Sequence, residues 1–498
     1  MKAFDVVVVG KGNAALCAAL AARDTGVSVA MLEAAAPDES GGNSRFAGGV
    51  MRFVYNHVDD LRQLIDITDD EARTTDWESN TRDQFYDDLY RVTNFRTDPD
   101  LSEALITQSL DAMVWLRSQG VRFVPNYRAQ SAVVNGQRRF FGRMPLEISG
   151  GGPGLVQDGT HTAIKKGVEI FYETRAVSLI FDGIKVTGVR AQRQGQLIDF
   201  IGKSVVLACG GFEANPAWRT RYLGPGWELA KVRGSRFNMG DGLKMALDIG
   251  AHPYGNWSGR HAVSWERHAP DVGNLNLPHS SYRHSYPLSI MINADGKRFV
   301  DEGIEFYNYT YAKYGAEVLK QPQQFAYQVF DAKVRPLLRP EYGDKAVTRV
   351  VANTLEALAA KLEGVNAAGF LRTVKEYNAA IRKDVPFDHS IKDARCTEGI
   401  DPPKSNWANT IDTGPFEAYL VTCGITFTFG GLRINPETGQ VMDVHLHAIP
   451  GLYTAGEMVG GLFYFNYPAG TGLVSGTVFG RIAGRGAAAA ASSSAKAN

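Results

Sequence analysis

At 498 residues, 44% of them apolar, the chain is long enough for two or three domains with sizeable cores. Its 53 basic and 53 acidic residues cancel, so no charge excess draws it to nucleic acid or an anionic membrane, and a small-molecule partner is favoured. Four cysteines without a C-x-x-C pair, no apolar run of about eighteen residues and no leader pattern ahead of the first strand read as a reducing, cytoplasmic setting with no disulfide framework and no transmembrane segment.

The first predicted element is a buried strand, Val6 to Val9, that runs straight into Gly10-Lys11-Gly12-Asn13-Ala14-Ala15 and a helix. That order builds a dinucleotide pyrophosphate cradle. Gly10 permits the tight turn, Gly12 lets backbone approach the phosphates, Ala15 lets helix and strand pack closely, and the helix N-terminus at Asn13 and Ala14 faces the anion. A second strand, Val27 to Met31, delivers Glu33, whose carboxylate can accept hydrogen bonds from adenosine ribose hydroxyls. Gly41-Gly42-Asn43-Ser44 follows almost at once, then Gly48-Gly49, where a regular nicotinamide domain would continue with further strand and helix units. Small residues so dense imply backbone lying against a flat or charged ligand. Residues 57 to 120 alternate charged clusters with Leu, Ile and Trp115 at helical spacing and read as solvated helices ending at Gly120. The Gly150-Gly151-Gly152-Pro153-Gly154 run lacks a suitable preceding strand and reads as a loop beside the ligand.

Val168 to Ile170 leads to a strand over Ala176 to Phe181, a turn at Asp182-Gly183 and a return over Lys185 to Val189. Ser204 to Ala208 is another buried strand, and it empties into Cys209-Gly210-Gly211-Phe212-Glu213, where backbone can touch a ligand. Gly240-Asp241-Gly242 opens a helix with Asp241 at its positive end, and Gly250 closes it. From 253 to 423 the texture changes to Tyr, His, Trp and Pro with mixed hairpins and helices. Glycine signals resume at Gly430-Gly431 and at Gly451 to Gly456-Glu457, and an Ala-rich tail after Gly486 reads as a fraying helix end. The expected fold is α/β: a Rossmann-type nucleotide domain over 1–252 and 424–498, interrupted by an α+β capping domain over 253–423.

Taken together, Gly10 to Ala15, Glu33, Gly41 to Gly49, Ala208 to Phe212, Gly240 to Gly242, Asn293 to Glu302 and Gly451 to Glu457 resemble the fumarate reductase and succinate dehydrogenase flavoprotein superfamily. Within it, Val421 to Gly431, Asn308 to Gly315 and Gly460 to Pro468 look most like the FAD-dependent tricarballylate dehydrogenase branch. The resemblance implies FAD, with the flavin between the two domains, Glu457 near the ribityl chain and Ala176 and Val177 meeting the adenine through backbone groups. It also implies that the last helix aims the amides of Gly472, Leu473 and Val474 at the flavin N1 and O2 region.

Three groups of the fumarate reductase pattern are replaced here. Its histidine falls at Thr426 or Phe427, its substrate arginine at Tyr467, and no arginine follows Glu302. Tyr467-Pro468 followed by glycines resembles instead the Tyr-Pro-Gly segment of 3-ketosteroid Δ1-dehydrogenases. A phenol can hydrogen-bond a developing enolate and, as phenolate, take a proton, whereas arginine suits carboxylate clamping. The expectation is therefore an FAD-dependent dehydrogenase that removes two hydrogens from adjacent carbons beside a carbonyl or carboxylate, by hydride transfer to flavin N5. Tyr467, with an amide from Gly470 or Gly472, polarises the carbonyl, and Tyr307, Tyr309 or Tyr311 supplies the base. His252, His261, His268, His279 and His284, with Arg260, Arg267 and Arg283, could form a carboxylate-binding rim or a proton relay, but their irregular spacing is read as that of ordinary loop histidines. With no second cradle, electrons leave to a separate acceptor: a protein, a quinone or oxygen. The alternatives are a fumarate-reductase-type enoate reductase and a flavin-binding electron-transfer subunit without its own substrate.

Overall fold

The apolar run Val6 to Val9 is buried on both faces, which demands a central position in a covered parallel sheet. In the computed structural model, which describes residues 2–275, 281–345 and 347–496, the strand Lys2–Val9 takes that position. It pairs in parallel with Val29–Leu32 on one side and Gln196–Leu207 on the other. Ala448–Thr454 and Glu169–Phe171 extend the sheet in parallel at either end. Gln440–Met442, Val186–Arg193 and Thr174–Phe181 add antiparallel strands, for eight in all. The layer is the mixed α/β arrangement expected of the nucleotide domain.

Two helices lie together over this sheet. Asn13–Arg23 and Thr471–Lys496 approach backbone to backbone: a Cβ at Gly480 would stand 2.7 Å from the Ala14 carbonyl oxygen, and one at Gly484 would stand 2.2 Å from that of Ala18. The Gly150 run is not a loop. It opens the helix Gly151–Lys165, directly after the short strand Leu146–Ile148. Close approach explains the glycines, since a Cβ at Gly152 would meet the Ser44 carbonyl oxygen at 2.1 Å. Between 57 and 120 the helices Arg82–Val92 and Pro99–Ser118 bury Phe85, Leu89, Leu105 and Met113 on one side and expose the other.

The chain divides into two compact units, one of residues 1–228, 234–261 and 426–498, the other of 229–233 and 262–425. The sequence places the crossings at 252/253 and 423/424; the chain passes between these units at 228/229, 233/234, 261/262 and 425/426, the last two inside the strands Pro253–Glu266 and Phe416–Leu432. A strand carries no change of composition at such a point. In the second unit Phe416–Leu432 pairs antiparallel with Ala326–Phe330 and Arg349–Ala352, and Ala326–Phe330 pairs in turn with Ile290–Ile292. Helix Ala367–Ala380 covers an apolar cluster that includes Phe370, Val374 and Tyr377. Among the described residues no helix is long and apolar enough to cross a membrane. His279 lies outside the described residues.

Candidate functional site

In the first unit the sequence-nominated segments converge at the C-terminal ends of the parallel strands, where open α/β sheets bind ligands. Gly10 sits at φ +107, and a Cβ there would stand 2.4 Å from the Ala208 carbonyl oxygen. Only glycine fits a turn both left-handed and this close. Gly12 starts the helix at Asn13 without a side-chain cap, so the first amides of the helix face outward from the turn. The Asn13 backbone N–H donates to Ser44 Oγ at 2.9 Å, and its side-chain amide donates to the Leu473 carbonyl at 2.8 Å and to Thr477 Oγ1 at 3.0 Å. Asn13, Ser44 and Leu473 are thus one cluster, and Gly456 joins it against the Ala14 methyl.

Glu33 is buried at the end of its strand. Burial pushes its carboxyl up, against the backbone amides of Ala35, Gly41 and Ala34 and the Lys11 charge that pull it down. Lys11, unremarked in the sequence because it is only the middle residue of the glycine pattern, is itself buried and bonds Ser40 Oγ at 3.2 Å. Burial pushes its ammonium down to about 8, with Glu33 opposing and Arg45 adding to the fall. Ala176 pairs with Ala191 in the outermost antiparallel strand, and the ladder slips between Arg190 and Ala191, which leaves Val177 at a bulge with its side chain 40% exposed. A bulge frees backbone groups from the ladder. Asp241 is held by Arg175 in a two-point ion pair, 2.7 Å on each arm.

The loop 41–49, the strand end 208–213 and the segment 456–457 meet around two buried carboxyls. Asn43 donates to Glu213 Oε1 at 2.6 Å and to the Thr426 carbonyl, while its Oδ1 accepts from the Ser235 N–H at 2.7 Å. Glu457 Oε1 accepts from the Thr428 N–H at 2.8 Å, and a Cβ at Gly211 would stand 2.2 Å from that same oxygen. Glu213 Oε2 has no donor, and the Glu457 carboxyl lies within hydrogen-bonding reach of the Glu213 side chain. Burial raises both groups, and the Glu457 charge drives Glu213 well above the usual carboxylate range. Two such groups bond only by sharing a proton. The pairing spans two distant segments, and no spacing in the sequence announces it.

A second cluster of the first unit surrounds Tyr467, which is 5% exposed. Its ring stands edge-on to Phe427 at 5.3 Å, Phe463 at 5.1 Å and His261 at 5.0 Å, and His261 stacks on Phe427 at 5.0 Å. The sequence leaves position 427 without the histidine of the reductases; an imidazole comes to that ring from another strand. His261 is therefore a buried strand residue, not a loop histidine. The Gly472 N–H, in the first turn of the last helix, donates to the Tyr467 hydroxyl oxygen at 2.9 Å. Phenol and amide act in series rather than as parallel donors. The preceding turn is tied down by Arg52, buried and also missed by the sequence reading, which bonds the Ala469 carbonyl at 3.0 Å, Asp88 at 3.1 Å and the Gly142 carbonyl at 3.1 Å. Gly470 has its carbonyl taken by the Arg52 N–H at 3.2 Å.

In the second unit Tyr307 and Tyr309 form a single turn of 3-10 helix, with Tyr309 buried. The Arg339 guanidinium lies over the Tyr307 ring at 4.7 Å, and the His284 ring is parallel to it at 5.9 Å. Tyr311 stands edge-on at 6.2 Å. Asn293 to Glu302 forms a hairpin-like return closed by Arg298, which pairs with Glu302 and donates to the Pro402 carbonyl at 2.7 Å. Arg298 and Glu302 are both buried, so this pair acts as a cross-link within the unit.

The family described as FAD binding domain matches residues 5–473. The chain is 30% identical to the probable fumarate reductase Ifc3 of Shewanella frigidimarina (strain NCIMB 400) over 97% of its own length and 74% of that protein's. It is 28% identical to the NADH:fumarate oxidoreductase of Klebsiella pneumoniae (strain 342), of which it spans about half, 48%, while 98% of this chain is covered. It is also 28% identical to the 4-oxocyclohexanecarboxylate 2-dehydrogenase of Sinomonas cyclohexanicum, covering 97% of this chain and 92% of the relative. A crystal structure of 3-ketosteroid Δ1-dehydrogenase from Sterolibacterium denitrificans superposes with a TM-score of 0.72 at 22% identity, covering 98% of this chain and all of that one. It shares the fold.

Proposed function

The chain belongs to the FAD binding domain family, and from that premise we propose that this FAD-dependent oxidoreductase is a dehydrogenase, removing two hydrogens from adjacent carbons beside a carbonyl. The chain's residues fit the cofactor. The turn at Gly10 and Gly12 leaves no room for a side chain or offers no cap where a pyrophosphate would lie, and Asn13, Ala14 and Ala15 open a helix toward it. In this reading Glu33 takes the ribose, Ala176 and Val177 the adenine, and Gly41 to Ser44, Gly48, Gly49, Ala208, Gly210, Gly211 and Asp241 line the remainder. Gly456 and Glu457 address the ribityl chain, and Leu473 and Val474 bring the positive end of the last helix. Bound FAD supplies the two-electron acceptor.

The observation that carries the reading is the 2.9 Å bond from the Gly472 N–H to the Tyr467 oxygen. In this reading negative charge drawn toward the Tyr467 oxygen is met by an amide at the start of a 26-residue helix. A substrate carbonyl accepting the Tyr467 O–H would gain acidity at its α carbon, as enolate-like charge develops on its oxygen. The aromatic walls of Phe427, Phe463 and His261 keep water from competing for the phenol. Tyr307 is proposed as the proton acceptor, with Tyr309 of the same turn and Tyr311 at the start of the next helix as the other phenols, because the Arg339 charge stands over its ring. The relative named for 4-oxocyclohexanecarboxylate makes cyclic oxo-acids the first substrates to try; a separate protein, quinone or oxygen accepts the electrons.

Anaerobic mixing of the FAD-loaded protein with oxo-acids and ketones tests this directly. Bleaching of the oxidised flavin band is expected, and Tyr467→Phe should slow it about 100- to 1,000-fold, the range for losing one oxyanion donor, while FAD stays bound. Near-normal bleaching in Tyr467→Phe would overturn the role. The relatives named for fumarate support a second reading, reduction of an activated C=C by the same groups. Dye-driven reduction of enoates with no oxidation of the saturated acids would favour it. No bleaching with any candidate, together with rapid reoxidation by a partner protein, would favour an electron carrier.

A further inference from the structure

One buried cation of the first unit stands close to a buried carboxyl without touching it. Lys11, in the turn between the strand Lys2–Val9 and the helix Asn13–Arg23, is 4% exposed. Its ammonium carries three N–H groups, and among the described residues the one acceptor it meets is the neutral Ser40 Oγ at 3.2 Å, whose own hydroxyl is spent on the Pro37 carbonyl at 2.8 Å. The Tyr172 ring centroid lies 5.6 Å from its Nζ. Glu33, which follows the neighbouring strand Val29–Leu32, is the carboxyl whose charge acts on Lys11, yet the two form no contact ion pair. Arg45 opposes the Lys11 charge from the turn Gly42–Phe46, its guanidinium engaged by the Asp38 and Ser40 carbonyls at 2.5 and 3.2 Å. Glu33 is 6% exposed; its Oε1 accepts from the Ala35 N–H at 2.8 Å, the Ala34 and Gly41 amides face it, and the Tyr172 phenol feels its charge.

A buried carboxylate with no cation near it takes up a proton, and the resulting acid is a poorer acceptor for hydroxyls than the carboxylate was. With the ribose placed at Glu33 as proposed, a reading on which this step rests and which is separate from the dehydrogenase chemistry, we infer that Lys11 is the positioning residue that lets Glu33 present a carboxylate, and not a carboxylic acid, to the adenosine ribose of FAD. Anchored on Ser40, the ammonium stands back from Glu33. It lowers the cost of the buried charge without occupying the lone pairs that the ribose hydroxyls need, whereas a contact ion pair would do the first and forfeit the second. Burial draws the Lys11 ammonium down to about 8, so it still holds its proton at neutral pH. The position between the two glycines of the cradle thus carries a charge that the backbone motif alone does not call for.

Dilution of the FAD-loaded protein, with released flavin read by its fluorescence, gives the FAD Kd from about pH 5 to about pH 8, the upper end being where Lys11 begins to lose its own proton. Lys11→Met and Lys11→Gln should release FAD more readily at the acid end, by about tenfold against the parent for each pH unit that the Glu33 carboxyl moves up, and the gap should close toward the alkaline end. Lys11→Arg, which keeps the charge, should follow the parent. Glu33→Gln cannot ionise and should bind FAD weakly and evenly across the range, with no pH-dependent loss when Lys11→Met is added to it. Circular dichroism establishes that the variants fold. A ratio of Lys11→Met to parent that is the same at every pH would overturn the inference, since a merely structural lysine weakens binding evenly, and so would a Lys11→Arg curve that tracks Lys11→Met. Glu33→Gln holding FAD as the parent does at every pH would bring down the ribose reading as well. A weakened Glu33→Gln beside a Lys11→Met indistinguishable from the parent would sink the role of Lys11 alone.

Discussion

At the strand ends of the first unit, the groups proposed to meet FAD are backbone: Gly10 against Ala208, Gly12 at an uncapped helix start, Gly211 against Glu457. In the second unit the conspicuous groups are side chains, a stack of rings capped by two guanidiniums and, elsewhere, the buried Arg298–Glu302 pair. An atom added at Gly10 or Gly211 would clash, whereas removing one charge of the Arg298–Glu302 pair leaves the other buried alone. Substitutions at matched depths can break that contrast.

The largest effect is expected at Gly10→Val, which combines a left-handed backbone with a clash against the Ala208 carbonyl and should cost at least about 3 kcal/mol. The purified variant should be colourless, and a yellow, FAD-loaded Gly10→Val would end the contrast. Next comes Arg298→Ala, which strands the buried Glu302 carboxylate. A loss of about 3–5 kcal/mol in stability is expected, read from urea midpoints, with the flavin spectrum retained at low temperature. Tyr467→Phe, at about 100- to 1,000-fold in turnover, should leave both stability and colour close to the parent. If it unfolds the protein instead, the phenol belongs to the packing and not to the chemistry.

The smallest effect sharpens the electrostatic side. Burial pushes the Glu78 carboxyl up to about 7 from its ordinary 4.5, while the Arg143 N–H and guanidinium pull the other way. The folded protein therefore holds a proton that the unfolded chain releases, so stability falls as pH climbs from about 4.5 to about 7 and is level above that. The decline amounts to up to about 3 kcal/mol. Glu78→Gln keeps an acceptor for the Arg143 N–H and should flatten this part of the stability profile. An unchanged slope between these pH values would show that Glu78 is ionised throughout.

What the sequence made legible follows the same division. The cradle at Gly10 to Ala15, Glu33 and the glycines at 41–49, 210–211 and 456 are local signals, because each is a backbone constraint that a handful of neighbouring residues satisfies. The Gly150 run misled because glycine marks close approach as readily as it marks a loop, and only the position of Ser44 tells the two apart. His261 at Phe427, Arg52 under the 467–470 turn, the Glu213–Glu457 pair and Arg233 on Tyr282 join residues far apart in the chain. No periodicity or spacing connects such partners; the sheet topology does. Tyr467 is nominated only because its neighbours Pro468 and Gly470 form a recognisable segment, and its bond to Gly472 lies within that segment's reach.

The pairing of Asn13 with Leu473 joins positions 460 residues apart, and the glycines that let the last helix seat against Ala14 and Ala18 lie further on still. At roughly 5–20 residues per second, a ribosome needs on the order of a minute to cross that interval. Throughout it, the alanine-rich surface of Asn13–Arg23 is left uncovered on the nascent chain, a natural target for holdase chaperones. On the proposed reading of the site, cofactor capture becomes a late event in the birth of each molecule, gated by emergence of the helix at Thr471–Lys496 rather than by completion of the motif at Gly10 to Ala15.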